Sequence, residues 1–75
     1  MSRERSDDVT TPRVWVGPVL GRKRRILNVP QAKIAELAGV SQPYLSMIEN
    51  GKKPVSRALE QRIRHALKQA ESMAL

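Results

Sequence analysis

QAKIAELAGVSQPYLSMIENGKK, from Gln31 to Lys53, reads as two short helices joined by a tight turn. Ile34, Ala35 and Ala38 recur at helical spacing before Gly39 interrupts them. A glycine there supplies the left-handed backbone that lets a chain leave a helix sharply. Val40 follows as an apolar pin between the two helices. Ser41 is a good N-cap, and Pro43, in the first turn, lacks an N–H that would have no partner there anyway. Leu45 and Ile48 mark the buried face of the second helix, and Asn50-Gly51 stops it. Two helices separated by a short glycine-containing turn make a helix-turn-helix unit.

The totals narrow what such a unit can belong to. Seventy-five residues, 40% of them hydrophobic, with one Trp, one Tyr and no Phe, allow one small domain with a thin aliphatic core. A cavity that encloses a substrate together with its catalytic groups is not expected at this size, so the chain does not read as an enzyme. With no Cys and only His65, neither a disulfide, a metal cluster nor a bound cofactor is expected. No apolar run approaches the roughly 20 residues that cross a membrane, and MSRERSDDVTT lacks a signal-peptide core. The expected location is therefore the cytoplasm.

The net charge of +7 is unevenly spread. In residues 1–18, Arg3, Arg5 and Arg13 balance Glu4, Asp7 and Asp8. In residues 19–57, Arg22, Lys23, Arg24, Arg25, Lys33, Lys52, Lys53 and Arg57 face only Glu36 and Glu49. The excess thus sits in and beside the two-helix unit, as a polyanionic partner would require.

Around that unit, residues 1–18 read as an N-terminal arm, partly flexible, with a short strand at 13–16 where Arg13-Val-Trp-Val16 gathers β-branched and aromatic residues. Trp15 has three possible uses, which are packing on its own domain, dimer contact and DNA contact. Residues 19–71 form the folded domain. A first helix is expected to begin after Pro18 and end near Asn28, with Leu20, Arg24 and Leu27 on one stripe. Arg24 is a charge on an apolar stripe and needs a partner. Pro30 starts the next helix. After the basic loop Lys52-Lys53-Pro54, Ser56 caps a last helix with a stripe through Leu59, Ile63, Ala66, Leu67 and Ala70. Arg57, Arg62, Arg64, His65 and Lys68 lie off that stripe on a solvated face, and residues 72–75 form a frayed tail.

From about Leu20 to Leu67 the chain resembles the DNA-binding domain of the Cro/phage-repressor (Xre-type) regulators. The match lies in Leu20, Arg24, Gln31, Ala35, Gly39, Val40, Ser41, Gln42, Tyr44, Ser46, Ile48, Glu49 and Gly51. The resemblance implies an all-α fold: a compact phage-repressor-like helix-turn-helix domain of four helices, or five if the segment after Gly51 divides, with an extended N-terminal arm. It departs from the family in three places. Pro30 replaces the usual Ser or Thr cap, the segment after Gly51 reads as one long helix, and the arm with Trp15 is additional. The resemblance also implies a structural ion pair between Arg24 and Glu49.

By the same resemblance, helix 41–50 enters the major groove of double-stranded DNA and presents Gln42, Pro43, Tyr44, Ser46 and Met47 to the bases. The Gln42 amide matches the N7 and N6 of adenine in a bidentate pair, whereas Pro43 and Met47 suit thymine methyls or the groove walls. Tyr44 sits at the border, able either to reach DNA or simply to pack. Gln31, Ser41, Asn50, Lys52 and Lys53 are the backbone-contacting candidates, and Gln31 braces Gln42 as well. The implied protein is a sequence-specific transcriptional regulator, a repressor, acting as a homodimer on DNA. An alternative is an antitoxin-type module that also binds operator DNA but meets a protein partner through the N-terminal arm.

Overall fold

A computed structural model of the chain describes residues 13–73. The expectations for residues 1–12 of the arm and for residues 74–75 of the tail lie outside the described residues. The elements follow in the order β1 (Arg13–Val14), α1 (Gly17–Ile26), α2 (Gln31–Ala38), α3 (Gln42–Glu49), β2 (Val55–Ser56) and α4 (Arg57–Met73). Among the described residues the fold is all-α, with four helices and a minimal two-stranded sheet. The segment after Gly51 does not divide into two helices, because the stripe Leu59, Ile63, Ala66, Leu67 and Ala70 is buried along one continuous α4. Ser72 and Met73, expected in a frayed tail, are still helical. No helix among the described residues is long and apolar enough to cross a membrane.

The expected strand at 13–16 shortens to Arg13–Val14 and gains a partner that the sequence did not announce. It pairs antiparallel with β2, Arg13 opposite Ser56 and Val14 opposite Val55. The alternation of an extended segment explains the rest of it: Val14 and Val16 pack against the core, and Trp15 between them points outward, 62% exposed. Packing of Trp15 onto its own domain is therefore not what the structure shows. Ser56 serves twice, in the sheet and as the cap of α4, where its Oγ accepts the N–H of Leu59 at 3.2 Å.

α1 begins at Gly17, ahead of the expected start, with Pro18 in its first turn, where a missing N–H costs nothing. The early start follows from packing. A Cβ on Gly17 would overlap the carbonyl oxygen of Ile48 and come within 2.6 Å of its carbonyl carbon and Cγ2. One turn later, a Cβ on Gly21 would lie 3.0 Å from Cβ and Cγ of Glu49. Two glycines four apart thus let α1 lie directly on the C-terminal half of α3.

Helices α1, α2 and α3 all stop in the same way. A residue in the left-handed region follows each one: Asn28 at φ 61°, Gly39 at φ 76° and Gly51 at φ 75°. In each case two N–H groups turn back to the last turn. Asn28 and Val29 donate to Arg25 and Arg24 O, Gly39 and Val40 to Glu36 and Ala35 O, and Gly51 and Lys52 to Ile48 and Met47 O. These are Schellman closures, which satisfy carbonyls a helix end would otherwise leave open. Asn28 fills a position that glycine usually takes, and asparagine is the side chain that tolerates it best. Asn28→Val should therefore cost about 1–2 kcal/mol in urea denaturation, whereas Asn28→Gly should be neutral or slightly stabilising.

The core formed between these helices is aliphatic. Leu20, Ile34, Leu45, Ile48, Val55 and Ile63 are essentially fully buried. α3 lies on α1 and α2, and α4 packs mainly on α2 and also touches α1. Glu60, buried in the first turn of α4, is flanked by Arg57 at 3.4 Å and Arg64 at 2.9 Å. Those two arginines lie at the surface as expected but are tied to a carboxylate.

Candidate nucleic-acid interface

The outer face of α3 follows from which side is buried. With Leu45, Ile48 and Glu49 inward, Gln42 and Pro43 are exposed, and Tyr44, Ser46 and Met47 are half-buried. Tyr44 packs against the core cluster, so its ring is held even though its edge reaches the surface. Ser41 caps the helix, its Oγ accepting the N–H of Tyr44 at 3.3 Å. At the other end Asn50 donates from Nδ2 to Ser46 Oγ at 3.4 Å. Lys52 and Lys53 are exposed in the loop that follows. Arg22, Lys23 and Arg25 on α1, and Lys33 on α2, are exposed as well.

Behind this face lies a continuous set of side-chain hydrogen bonds. Arg24 grips Glu49 with two nitrogens, Nε to Oε2 at 2.8 Å and Nη2 to Oε1 at 2.9 Å. Its Nη1 donates to the carbonyl of Val29 at 2.9 Å, so the guanidinium also secures the α1–α2 turn. Both partners are largely shielded, with side-chain exposures of 13% for Arg24 and 5% for Glu49. A planar guanidinium donating in parallel to both carboxylate oxygens is the strongest form of such a pair. The charge on the apolar stripe of α1 thereby has its partner at the end of α3.

The set continues outward. Gln31 Nε2, at the first residue of α2, donates to Glu49 Oε1 at 3.1 Å. Gln42 Nε2 then donates to Gln31 Oε1 at 3.2 Å. Gln42 and Gln31 thus meet at the surface, and Arg24 and Glu49 meet beneath them. Pro43 and Met47, four residues apart, share one face of the helix, and Ser46 and Asn50 form a pair of their own. The bond from Gln31 to Glu49 joins residues far apart in sequence, and no local spacing signals it. The close approach of α1 to α3 at Gly17 and Gly21 has one sequence signal, the four-residue interval between the two glycines. Among the described residues there is no group of His, Cys, Asp or Glu that could hold a metal ion.

Comparisons with known proteins agree with this geometry. A helix-turn-helix family model, HTH_3, matches residues 20–70. Among solved structures, the crystal structure of the clp gene regulator ClgR from C. glutamicum superposes with a TM-score of 0.68 and 34% sequence identity, covering 80% of each chain. A search of curated proteins finds no match. The matched span holds all of α2, the turn, α3 and the Arg24–Glu49 pair, so the chain belongs to the Xre/Cro-type helix-turn-helix family.

Proposed function

We propose that this protein is a sequence-specific, double-stranded DNA-binding transcriptional regulator of the cytoplasm, a repressor that inserts helix 41–50 into the major groove. The observation that carries the reading is the exposed Gln42 amide at the start of α3, held by Gln31 and followed at the far end of the helix by exposed Lys52 and Lys53. An amide can read adenine through two hydrogen bonds, and the lysines can neutralise phosphates without reading sequence. Pro43, Tyr44, Ser46 and Met47 complete the base-facing set, and Gln31, Ser41 and Asn50 the backbone-facing one. Repression asks only that the site be occupied. The likeness to a gene regulator supports the reading.

One module of this size buries roughly 600–1,000 Å² of its own surface on DNA, so tight binding calls for a homodimer on two half-sites. The exposed Trp15 beside β1 and the long α4 are the candidate dimer surfaces. Sedimentation that shows a monomer both free and on DNA would remove the dimer. Selecting bound duplexes from a random pool tests the function itself and yields the half-site and its spacing. On the selected duplex, Gln42→Ala should relax a single base position by about 1–3 kcal/mol. Lys52→Ala should instead weaken all duplexes alike and reduce the slope of log affinity against log salt by about 0.9. Equal binding to selected and scrambled duplexes across salt concentrations would point to a non-specific binder.

A further inference from the structure

We infer that Asn50–Gly51 is a site of self-modification, at which the chain converts Asn50 to a carboxylate and so loses its hold on DNA. The closure of α3 gates the reaction, and bound DNA keeps that closure shut. This last step rests on the reading of Asn50 as a backbone contact.

An asparagine side chain is open to attack by the main-chain nitrogen of the residue that follows it. As that nitrogen gives its proton to water, it bonds to Cγ, the bond from Cγ to Nδ2 breaks, and ammonia leaves. Water then opens the cyclic imide at either carbonyl. The product is aspartate, or its isomer with an extra methylene in the main chain. Water is the only co-reactant. A side chain on the following residue obstructs the attack, and glycine has none. The sequence holds two asparagines, Asn28 and Asn50. Asn28 precedes Val29, which is β-branched and buried. Asn50 precedes Gly51, and both are exposed.

In the folded chain the same linkage is held in an unreactive shape. At ψ 4° the Gly51 nitrogen eclipses the Asn50 nitrogen and is turned away from the Asn50 side chain. Its N–H donates to the Ile48 carbonyl at 3.1 Å, and the N–H of Lys52 to that of Met47 at 2.9 Å. Attack therefore requires the closure to open and these bonds to break, which slows it on the order of tenfold or more.

The product falls where a negative charge is most costly. It stands at the C-terminus of α3, the negative end of the helix, beside Glu49. Lys52 and Lys53 follow closely, so a carboxylate at position 50 offsets the charge they offer to phosphates. The extra methylene of the isomer would also move both lysines along the chain. A duplex that binds only the closed form, at about a hundred times its Kd, lowers the open population about a hundredfold.

The test ages the full chain in mildly alkaline buffer in three states: unfolded in guanidinium chloride, native, and native with saturating selected duplex. Digestion and mass spectrometry then read the conversion at each asparagine. The unfolded chain should convert at Asn50 and leave Asn28 intact. The native chain should convert roughly tenfold or more slowly by comparison, and duplex should slow it about a hundredfold further. Asn50→Asp, shown folded by a thermal melt, should bind the duplex roughly tenfold or more weakly. Asn50→Gln, which would have to close a larger ring, should keep through ageing whatever affinity it starts with, while the native wild-type chain loses its own. A native chain that converts as fast as the unfolded one overturns the inference, as does an Asn50→Asp variant that binds like the wild type. So does a duplex that binds but leaves the native rate unchanged. A fresh chain that binds selected and scrambled duplexes alike instead overturns the underlying reading, and with it the protection by DNA.

Discussion

Gly17→Ala is expected to lower the melting temperature by on the order of 10–20 °C, one of the two largest effects of any single substitution in the chain. The added methyl group would occupy the space of the Ile48 carbonyl oxygen, with the carbonyl carbon and Cγ2 only 2.6 Å away. Backbone at the end of α3 cannot swing aside as a flexible side chain would. That carbonyl is also engaged, accepting the N–H of Gly51 in the closure of the helix. Relief must therefore come from separating α1 and α3, which also loosens Gly21 from Glu49. Overpacking of this kind costs about 1–3 kcal/mol and sometimes more, and a domain this small loses roughly 4–8 °C for each kcal/mol. Gly39→Ala makes the control. Nothing lies within 4 Å of its added methyl group, so only the strain of φ 76° remains, about 1 kcal/mol. Melting temperatures of the two variants measured side by side decide the matter. Equal, mild losses would mean that α1 and α3 do not approach as closely as described.

Arg24→Ala should cost about 3–5 kcal/mol, because it strands the Glu49 carboxylate in a site only 5% exposed. The total stability expected for a chain of this length is roughly 4–11 kcal/mol, so the loss would take from about a quarter to all of it. The loss goes beyond one ion pair, since Arg24 also holds the Val29 carbonyl and Glu49 holds Gln31. The double replacement Arg24→Met with Glu49→Leu removes both charges together and should recover much of the loss. Urea denaturation of Arg24→Met, of Glu49→Leu and of the double gives the coupling energy directly. An unchanged midpoint for Arg24→Ala would show that the pair contributes nothing to stability.

How much of this was legible in the sequence varied with the range of the interaction. The two helices of the reading unit, the stop at Gly39 and the cap at Ser41 are local, written in spacing and in residues with special backbone or capping behaviour. The continuous α4 was equally legible from its stripe. The β1–β2 pair was not, because two strands of two residues each have no period, and their partnership joins Val14 to Val55 across most of the domain. Trp15 misled through its chemistry. A large aromatic suggests burial, but alternation between Val14 and Val16 turns it outward. At the candidate site, individual residues could be placed on the outer face from the burial of Leu45 and Ile48. The Arg24–Glu49 pairing came only from family resemblance, and the Gln31–Glu49 bond depends on tertiary packing that neither spacing nor resemblance supplied.

The three left-handed stops also leave the chain no slack. Each of the first three helices ends on a single left-handed residue, whose own N–H and that of the next residue are already committed. Surface loops generally absorb added residues freely. Here one extra residue between Gly39 and Ser41 would advance α3 by about 100° about its axis. Leu45 and Ile48 would leave the core, and Gln42 would leave its place beside Gln31. The length of these turns is therefore as much a specification of the molecule as the identity of its core.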